Sequence, residues 1–472
     1  MNVRARLVTQ ESVATDRILD FVLQTEPDAD VRRHAVSAIF DTLAVTYAGR
    51  IESAVQRLQS SLDPVGGPSA VPSLWGHEHY APVDAALLYG IASHVLDYDD
   101  VSMLAVCHPS APVLSALLAV APSVKPTGAE FIDAFAIGTE VLIRLGQAMG
   151  FRHYMLGFHA TGTLGAVGAA AACVRLLKLD RVRANHAISI AASMSSGIQR
   201  NFGSMVKSLH VGIAASSGLR AARLAQSGVE GARDAIEGKG YLFAYSGGET
   251  ETWRENLRLG APFAIVEPGF EQKRYPCCYM LHRMIQATLN LVREKGVSLS
   301  AVARARVDMP KGGTKPLIHP FPKSGLNALF SGPHAIIAGL ADGRIDLSSF
   351  TDEAVMRPNV QSRLRDVQVI ESTDDLPAGM TIGDAPVTVT LTRKDGSSLA
   401  RTITVSPGSK SDPLTPAQLE AKWTDCLERG AAYLPGGAAA ACFEQGLAMA
   451  DLTDIAEWLA AMRPTARSHQ HR

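Results

Sequence analysis

Three aspartates stand within four positions in the segment HVLDYDD, and histidines lie on either side of them. The aspartates are Asp97, Asp99 and Asp100, and His108 follows in the tripeptide HPS. A histidine beside carboxylates can gain and lose a proton near neutral pH, because its unperturbed pKa is about 6.5. Acidic residues at a helix C-terminus oppose the helix dipole, so they need cations or a histidine as partners. The segment predicts an acid/base group, with a solvated acidic loop as the alternative.

Two further segments place a basic side chain where a helix of small residues begins. His159 in GFHATGTLG is expected at such a helix start, whose positive end would lower its pKa and keep the ring neutral. Lys207 and His210 in GSMVKSLHVG are three residues apart and share a helix face, where Lys207 could hold an anion. The alternatives are a core histidine with a satisfied hydrogen bond and a lysine that extends to solvent.

A fourth segment, QKRYPCCYMLHRM, gathers polar side chains around a Pro-Cys-Cys turn: Lys273, Arg274, Tyr275 and His282. Cations at a domain junction suit a ligand that carries a carboxylate, and a solvated basic face is the alternative. In combination, the four segments have a direct chemical interpretation. Neutral histidines can remove a proton next to a carboxylate while lysines and an arginine neutralise the enolate-like charge that develops.

Signatures of other enzyme classes are absent from the sequence. It has no GxxxxGK[ST] phosphate loop, no GxSxG elbow, no HExxH pair and no cysteines at iron-sulfur spacing. We therefore expect proton transfer by side chains alone, with no cofactor and no metal.

Composition limits the possible partners and the compartment. The formal net charge of -1 gives no general attraction to nucleic acid or anionic lipid. Six scattered cysteines without a CxxC pair suit a reducing cytoplasm. No apolar stretch reaches the ~20 residues that span a bilayer, so neither nucleic acid nor membrane is an expected partner.

The elements that must position these residues are mostly helices. With 472 residues, the chain should form more than one core. Helical periodicity dominates to about residue 260, and strand-like alternation follows from about residue 300. We predict a mainly α fold with an inserted α+β domain: a helical domain over 1–267, the α+β domain over 268–405, and a helical return over 406–472.

Several local signals support this division. Thr127 and Glu130 have the spacing of a capping box at a helix start. Residues 303–309 alternate apolar and charged side chains like a half-exposed strand. Residues 387–405 predict a β-hairpin, whose turn is Asp395-Gly396.

The chain resembles the MmgE/PrpD family, which includes 2-methylcitrate dehydratases, cis-aconitate decarboxylases and iminodisuccinate epimerases. The resemblance is carried, in order, by SHVLDYDD with HPSAPVLSALLA, GFHATGTLGAVGAAAA, FGSMVKSLHVGIAASSGLRAARLA, KRYPCCYMLH, LIHPFPKSGLNALFSGPHAI and DGSSLARTITVSPGSKSDPLTPAQLEAKW. It implies a helical domain joined to a smaller α/β lid, an active site in the cleft between them, and a homodimer. It also implies a small di- or tricarboxylate substrate and no metal.

The resemblance also implies roles for individual residues. Six positions match the family's motifs: Asp97, His108, His159, Lys207, Lys273 and His282. Asp97 would orient a histidine, His159 or His108 would be the base or the acid, and the two lysines would hold the substrate carboxylates. Arg274 and Tyr275 complete the predicted substrate contacts. The reaction implied is that of a 2-methylcitrate dehydratase-like hydro-lyase, with an iminodisuccinate-type epimerase as the alternative.

Four departures from the family pattern bear on the substrate. Val101 stands where decarboxylases carry a threonine, and Cys278 stands where they place a second histidine. The segment around His319 replaces their tyrosine-bearing segment, and Leu329 replaces a lysine found in many relatives. Cis-aconitate decarboxylation therefore ranks third. A substrate with fewer carboxylates, or a catalytically silent binding or scaffold protein, stays open.

Overall fold

The computed structural model describes residues 13–248, 256–260, 262–377, 380, 382–430 and 438–463. The helices of the first part are α1 (Val13–Gln24), α2 (Ala29–Gly49), α3 (Ser53–Gln59), α4 (Pro82–His94), α5 (Ser110–Val124), α6 (Gly128–Met155), α7 (Ala160–Leu176), α8 (Arg181–Ser193), α9 (Met205–Gln226) and α10 (Tyr241–Tyr245). The later helices are α11 (Tyr279–Lys295), α12 (Gly325–Ala328), α13 (Gly332–Asp342), α14 (Asp352–Val355), α15 (Pro358–Gln361), α16 (Pro416–Gly430), α17 (Ala438–Leu447) and α18 (Ile455–Ala461). The strands are β1 (Val71–Pro72), β2 (His79–Tyr80), β3 (Val302–Met309), β4 (Val367–Glu371), β5 (Val387–Arg393) and β6 (Ser398–Ile403).

The first helices form one packed body. The predicted capping box of Thr127 and Glu130 starts α6. Helices α7 and α9 are interior and contact each other, as their small side chains predict. Helix α4 also packs on α9, and a Cβ at Gly90 would lie only 2.6 Å from the Cα of Gly212. Glycine is needed there because the two backbones nearly touch.

A four-stranded sheet in the order β4-β3-β5-β6 lies in the second part of the chain. Strands β3 and β4 are parallel, and β5 and β6 form the predicted antiparallel hairpin. The alternation predicted for residues 303–309 holds from Ala305 onward, but Ala303 is exposed. The register shifts between Val302 and Arg304, and a β-bulge of this kind turns one residue out of the alternation.

Two hydrophobic cores result, one in the helical body and one beneath the sheet around α11 and α13. Helix α16 packs on α2 in the helical body, where Trp423 contacts Phe40 edge to face at 5.0 Å. The predicted fold class, mainly α with a smaller α+β part, is confirmed. The exact boundaries at residues 267 and 405 stay a prediction. No helix in the described ranges is long and apolar enough to cross a membrane.

Candidate active site

A cavity of about 780 Å³ opens where the helical body meets the second part of the chain. The structure brings five of the eight predicted site residues to its wall: Asp97, His108, His159, Lys207 and Lys273. They come from four separate segments of the sequence. The cavity therefore collects histidines, lysines and a carboxylate that are up to 176 residues apart.

The loop after α4 brings Asp97 to the cavity wall. Helix α4 ends at His94, and Asp97 lies in the following turn with a φ of 48°. Aspartate tolerates this left-handed conformation better than most residues do. A backbone bridge between Val101 and Glu271 then fastens the loop to the segment that carries Lys273.

Asp97 pairs with two lysines inside the cavity. The Nζ of Lys273 lies 2.7 Å and the Nζ of Lys207 lies 3.1 Å from the same Oδ1 of Asp97. Burial would raise the pKa of Asp97, but the two lysines outweigh burial and hold this pKa well below its usual value. Burial likewise would lower the pKa of Lys273, but Asp97 raises it. Together, the two ammonium groups and the carboxylate of Asp97 carry a net charge of +1.

Asp99 lies between two histidine rings. Its Oδ2 is 2.8 Å from the Nδ1 of His94 and 3.3 Å from the Nδ1 of His108. Burial opposes ionisation of Asp99, but the two rings lower its pKa. Burial lowers the pKa of His94 to about 3, so this ring is neutral at neutral pH and its Nδ1–H donates to Asp99. The Nε2 of His108 faces Asp97 at 3.6 Å, so His108 sits between two carboxylates.

His159 is the N-cap residue of α7, as the sequence predicts for a helix start. Its Nδ1 lies 3.1 Å from the Nδ1 of His210, and its ring packs edge to face on Phe202. Burial, followed by the nearby His94 and Lys207, holds the pKa of His159 well below its usual value. The sequence predicts a neutral ring because of the helix dipole, whereas the structure makes burial the largest cause. A neutral imidazole at the cavity wall can accept a proton.

Four of these groups also have the composition of a metal site. Ligand atoms of His94, Asp97, Asp99 and His108 all lie within 4.8 Å of one another. However, Asp97 already pairs with two ammonium groups, and these would repel a divalent cation. The donor set therefore fits a network of charges and protons better than it fits a metal centre.

The structure does not bring Arg274, Tyr275 or His282 to the cavity wall. The hydroxyl of Tyr275 donates to Gln286 at 2.7 Å, and the ring of His282 is buried 5.3 Å from the ring of Tyr275. Burial lowers the pKa of His282 to about 3. Arg274 and Tyr275 lie in the bend that follows Lys273, and His282 lies on α11, so the structure does not support the substrate contacts predicted for these three residues.

The departures from the family pattern have different positions in the structure. Val101 and Cys278 line the cavity, so two polar groups of decarboxylases are replaced there by an aliphatic side chain and a thiol. Leu329 is buried in the second core, and its neighbour Phe330 reaches the cavity instead. His319 does not line the cavity.

Sequence reasoning missed the roles of His94 and the aromatic residues. His94 orients Asp99, which in turn contacts His108. The Nζ of Lys207 lies 5.6 Å from the ring centroid of Phe202 and 5.1 Å from that of Phe330. His94 and Asp99 are five residues apart in the sequence, one at the end of α4 and one just after it. This spacing is the signal from which their contact could have been predicted.

A second buried ion pair supports the site from behind. Lys422 of α16 pairs with Asp41 of α2 at 2.6 Å, and both side chains are almost completely buried. The Nζ of Lys422 also donates to the main-chain oxygens of Tyr98 and Lys273, at 3.0 and 2.9 Å. These carbonyls belong to the two segments that carry Asp97 and Lys273. Helix α16 thereby fixes both segments relative to each other.

His94→Gln is expected to make folding less sensitive to acid. The ring has a pKa of about 3 in the fold and about 6.5 when the chain is unfolded. Between these values the unfolded state binds one more proton, so the free energy of unfolding falls as the pH falls, by about 1.4 kcal/mol per pH unit. Glutamine does not titrate and should remove this part of the slope between about pH 6 and about pH 4. Urea denaturation across that range measures the slope, and an unchanged slope would contradict a buried neutral ring.

Comparisons with known proteins agree with the architecture. Residues 16–254 match the MmgE/PrpD N-terminal domain, and residues 275–433 match the MmgE/PrpD C-terminal domain. The chain therefore belongs to the MmgE/PrpD family.

Curated relatives are similar over most of their length. The chain is 27% identical to a human cis-aconitate decarboxylase over 396 residues, which are 82% of this chain and 81% of the relative. It is 26% identical to the mouse cis-aconitate decarboxylase, over 83% of this chain and 81% of the relative. The cis-aconitate decarboxylase of Aspergillus terreus is 25% identical, over 81% of this chain and 82% of the relative.

Proposed function

We propose that the protein is a cofactor-independent acid/base lyase that removes a proton alpha to a carboxylate and expels a group from the beta carbon. One observation carries the proposal: a neutral histidine, a histidine between two carboxylates, and a pair of lysines line the same cavity. The curated relatives, which are named as decarboxylases, support a lyase as the reaction class.

The lysine pair holds and discharges the substrate carboxylate. Lys207 and Lys273 share one aspartate, so one positive charge remains for the ligand. An ammonium group beside this carboxylate stabilises the negative charge that develops when the alpha proton leaves. The rings of Phe202 and Phe330 keep water away from Lys207, which strengthens this attraction.

His159 is the base and His108 is the acid in this scheme. The neutral His159 takes the alpha proton, and the electron pair of the broken C–H bond forms the new C=C bond. The bond to a beta hydroxyl breaks, and a proton from His108 leaves with it as water. Asp97 and Asp99 each face one nitrogen of His108 and orient its ring in the cavity. His210 contacts His159 and can share the proton that it accepts.

A 2-methylcitrate dehydratase-like hydro-lyase stays our first candidate, acting on a small di- or tricarboxylate. Decarboxylation is the second candidate, because all the relatives named above are cis-aconitate decarboxylases. In that reaction the substrate loses a carboxylate as CO2, and His108 protonates the carbanion. Val101 and Cys278 in the cavity argue for the first candidate, since both replace polar groups of decarboxylases.

Product analysis tests the proposal. Purified protein is incubated with 2-methylcitrate, citrate, cis-aconitate and iminodisuccinate in deuterated water. Water loss with a new alkene supports dehydration, release of CO2 supports decarboxylation, and a solvent deuterium with inverted configuration supports epimerisation. A protein that binds these acids without converting any of them would fit the silent binding relative instead.

The remaining predictions concern the assembly and the compartment. The homodimer follows from the family resemblance, and sedimentation equilibrium measures it. A cytoplasmic location agrees with six buried cysteines that carry free thiols.

A further inference from the structure

The cavity carries lysines at two ends. Lys207 and Lys273 are buried and share Asp97. Lys311 and Lys315 also line the cavity but are exposed, so they mark its outer end. A substrate with more than one carboxylate needs cationic contacts at more than one place, because an unpaired charge is costly to desolvate. The outer lysines are therefore the candidates for a second carboxylate contact.

The loop that carries the outer lysines is fastened to the end of β4. Glu371, the last residue of β4, accepts a hydrogen bond from the backbone N–H of Thr314 at 2.9 Å and another from the hydroxyl of Thr314. Burial would raise the pKa of Glu371, but these bonds and the backbone N–H of Gly312 hold this pKa below its usual value, with a smaller contribution from Lys315. The negative charge of Glu371 is thus stabilised mainly by the loop itself. Lys315 follows Thr314 directly, so this attachment fixes its place at the cavity.

The two outer lysines differ in their partners. The Nζ of Lys311 pairs with Asp375 at 2.6 Å, so its charge is compensated within the protein. The Nζ of Lys315 lies 3.1 Å from the Sδ of Met155, and no carboxylate in the described part of the chain forms an ion pair with it. A thioether is a weak acceptor. Lys315 can therefore bind a carboxylate of a ligand without giving up an ion pair.

We infer that Lys315 binds a second carboxylate of the substrate at the outer end of the cavity, while Lys207 and Lys273 hold the carboxylate next to the reacting carbon. The inference rests on the proposed function and deepens it, because it names a residue that distinguishes di- and tricarboxylates from monocarboxylates. Contacts at both ends also orient the alpha carbon towards His159, since a molecule held at two places loses most of its rotational freedom.

Binding of unreactive acids tests the inference without requiring turnover. Dissociation constants of glutarate, propane-1,2,3-tricarboxylate and butanoate are measured by NMR titration for the wild type and for Lys315→Met. Loss of one charge-assisted contact should weaken glutarate and the tricarboxylate by about tenfold. Butanoate has no second carboxylate and should bind almost unchanged. Equal weakening of all three acids, or no weakening of any, would overturn the inference.

Two further variants separate a direct contact from a general change of charge. Lys323→Met removes another exposed lysine, which does not line the cavity, so it should leave the affinity for glutarate nearly unchanged. Lys315→Arg keeps a cation at the same position and should retain most of the affinity. Equal weakening by Lys323→Met and Lys315→Met would assign the effect to the overall charge of the protein and would overturn the contact.

Turnover distinguishes failure of this inference from failure of the proposed function. 2-Methylcitrate and citrate are followed by NMR for loss of water with the wild type and with Lys315→Met. A contact made equally in the ground state and the transition state should raise KM in the variant and leave kcat nearly unchanged. Turnover with the same KM in both proteins would overturn the role of Lys315 and leave the lyase proposal standing. Selective weakening of the di- and tricarboxylates without any conversion would overturn the lyase proposal and support the second carboxylate contact.

Discussion

His159→Gln is expected to lower kcat by about 10²- to 10⁴-fold, the usual contribution of a general base. The ring is neutral because it is buried, and it lies at the cavity wall next to His210 and Lys207. Glutamine keeps a polar group of similar size but cannot accept the proton. The free energy of unfolding should change little compared with this loss of activity, and steady-state kinetics with urea denaturation measure both.

A second buried histidine provides the control. His153 is 2% exposed and His159 is 3% exposed, but His153 bonds to Thr163 and to a main-chain oxygen and does not line the cavity. His153→Gln should leave kcat of the folded protein within a few-fold of wild type. An active His159→Gln variant, or an equal loss in both variants, would show that His159 is not the base.

Lys422→Met should destabilise the fold by about 3–5 kcal/mol, the cost of leaving a buried charge without its partner. Asp41 is fully buried beside Lys422, and burial raises its pKa despite the attraction of the lysine. The substitution also removes the donor to the carbonyls of Tyr98 and Lys273. Chemical denaturation at neutral pH measures the loss.

Two further variants separate the buried charge from the lost contacts. The double variant Asp41→Leu with Lys422→Met removes both charges and should recover part of the stability, because well-packed apolar groups can replace a buried pair. Lys410→Met is the exposed comparison, since Lys410 pairs with Glu267 at the surface. It should cost less than about 1 kcal/mol. A loss for Lys422→Met as small as that for Lys410→Met would refute a structural role for the buried pair.

Much of the fold can be predicted because local signals and tertiary structure agree. The capping box of Thr127 and Glu130 and the turn at Asp395 lie where the sequence places them. The exposed side chain of Ala303 could not be predicted, because the bulge depends on how β3 pairs with β5. The sequence of a single strand does not contain the register of its partner.

The site can be predicted only in part, and for a similar reason. Lys273 and His159 can be identified from the sequence by their residue type and their local context. Which of their sequence neighbours also line the cavity depends on the direction of each side chain. Arg274 and Tyr275 follow Lys273 directly and still lie outside the cavity wall. Burial, which keeps His94 and His159 neutral, arises only when distant helices pack.

A crystal structure with an unreactive carboxylic acid bound tests the central claim most directly. The claim is that Lys207 and Lys273 hold the substrate carboxylate while His159 faces the neighbouring carbon. We predict a carboxylate oxygen about 3 Å from the Nζ of Lys207 and a nitrogen of His159 about 3–3.5 Å from the alpha carbon. An acid that binds elsewhere, or whose carboxylate points away from both lysines, would contradict the account.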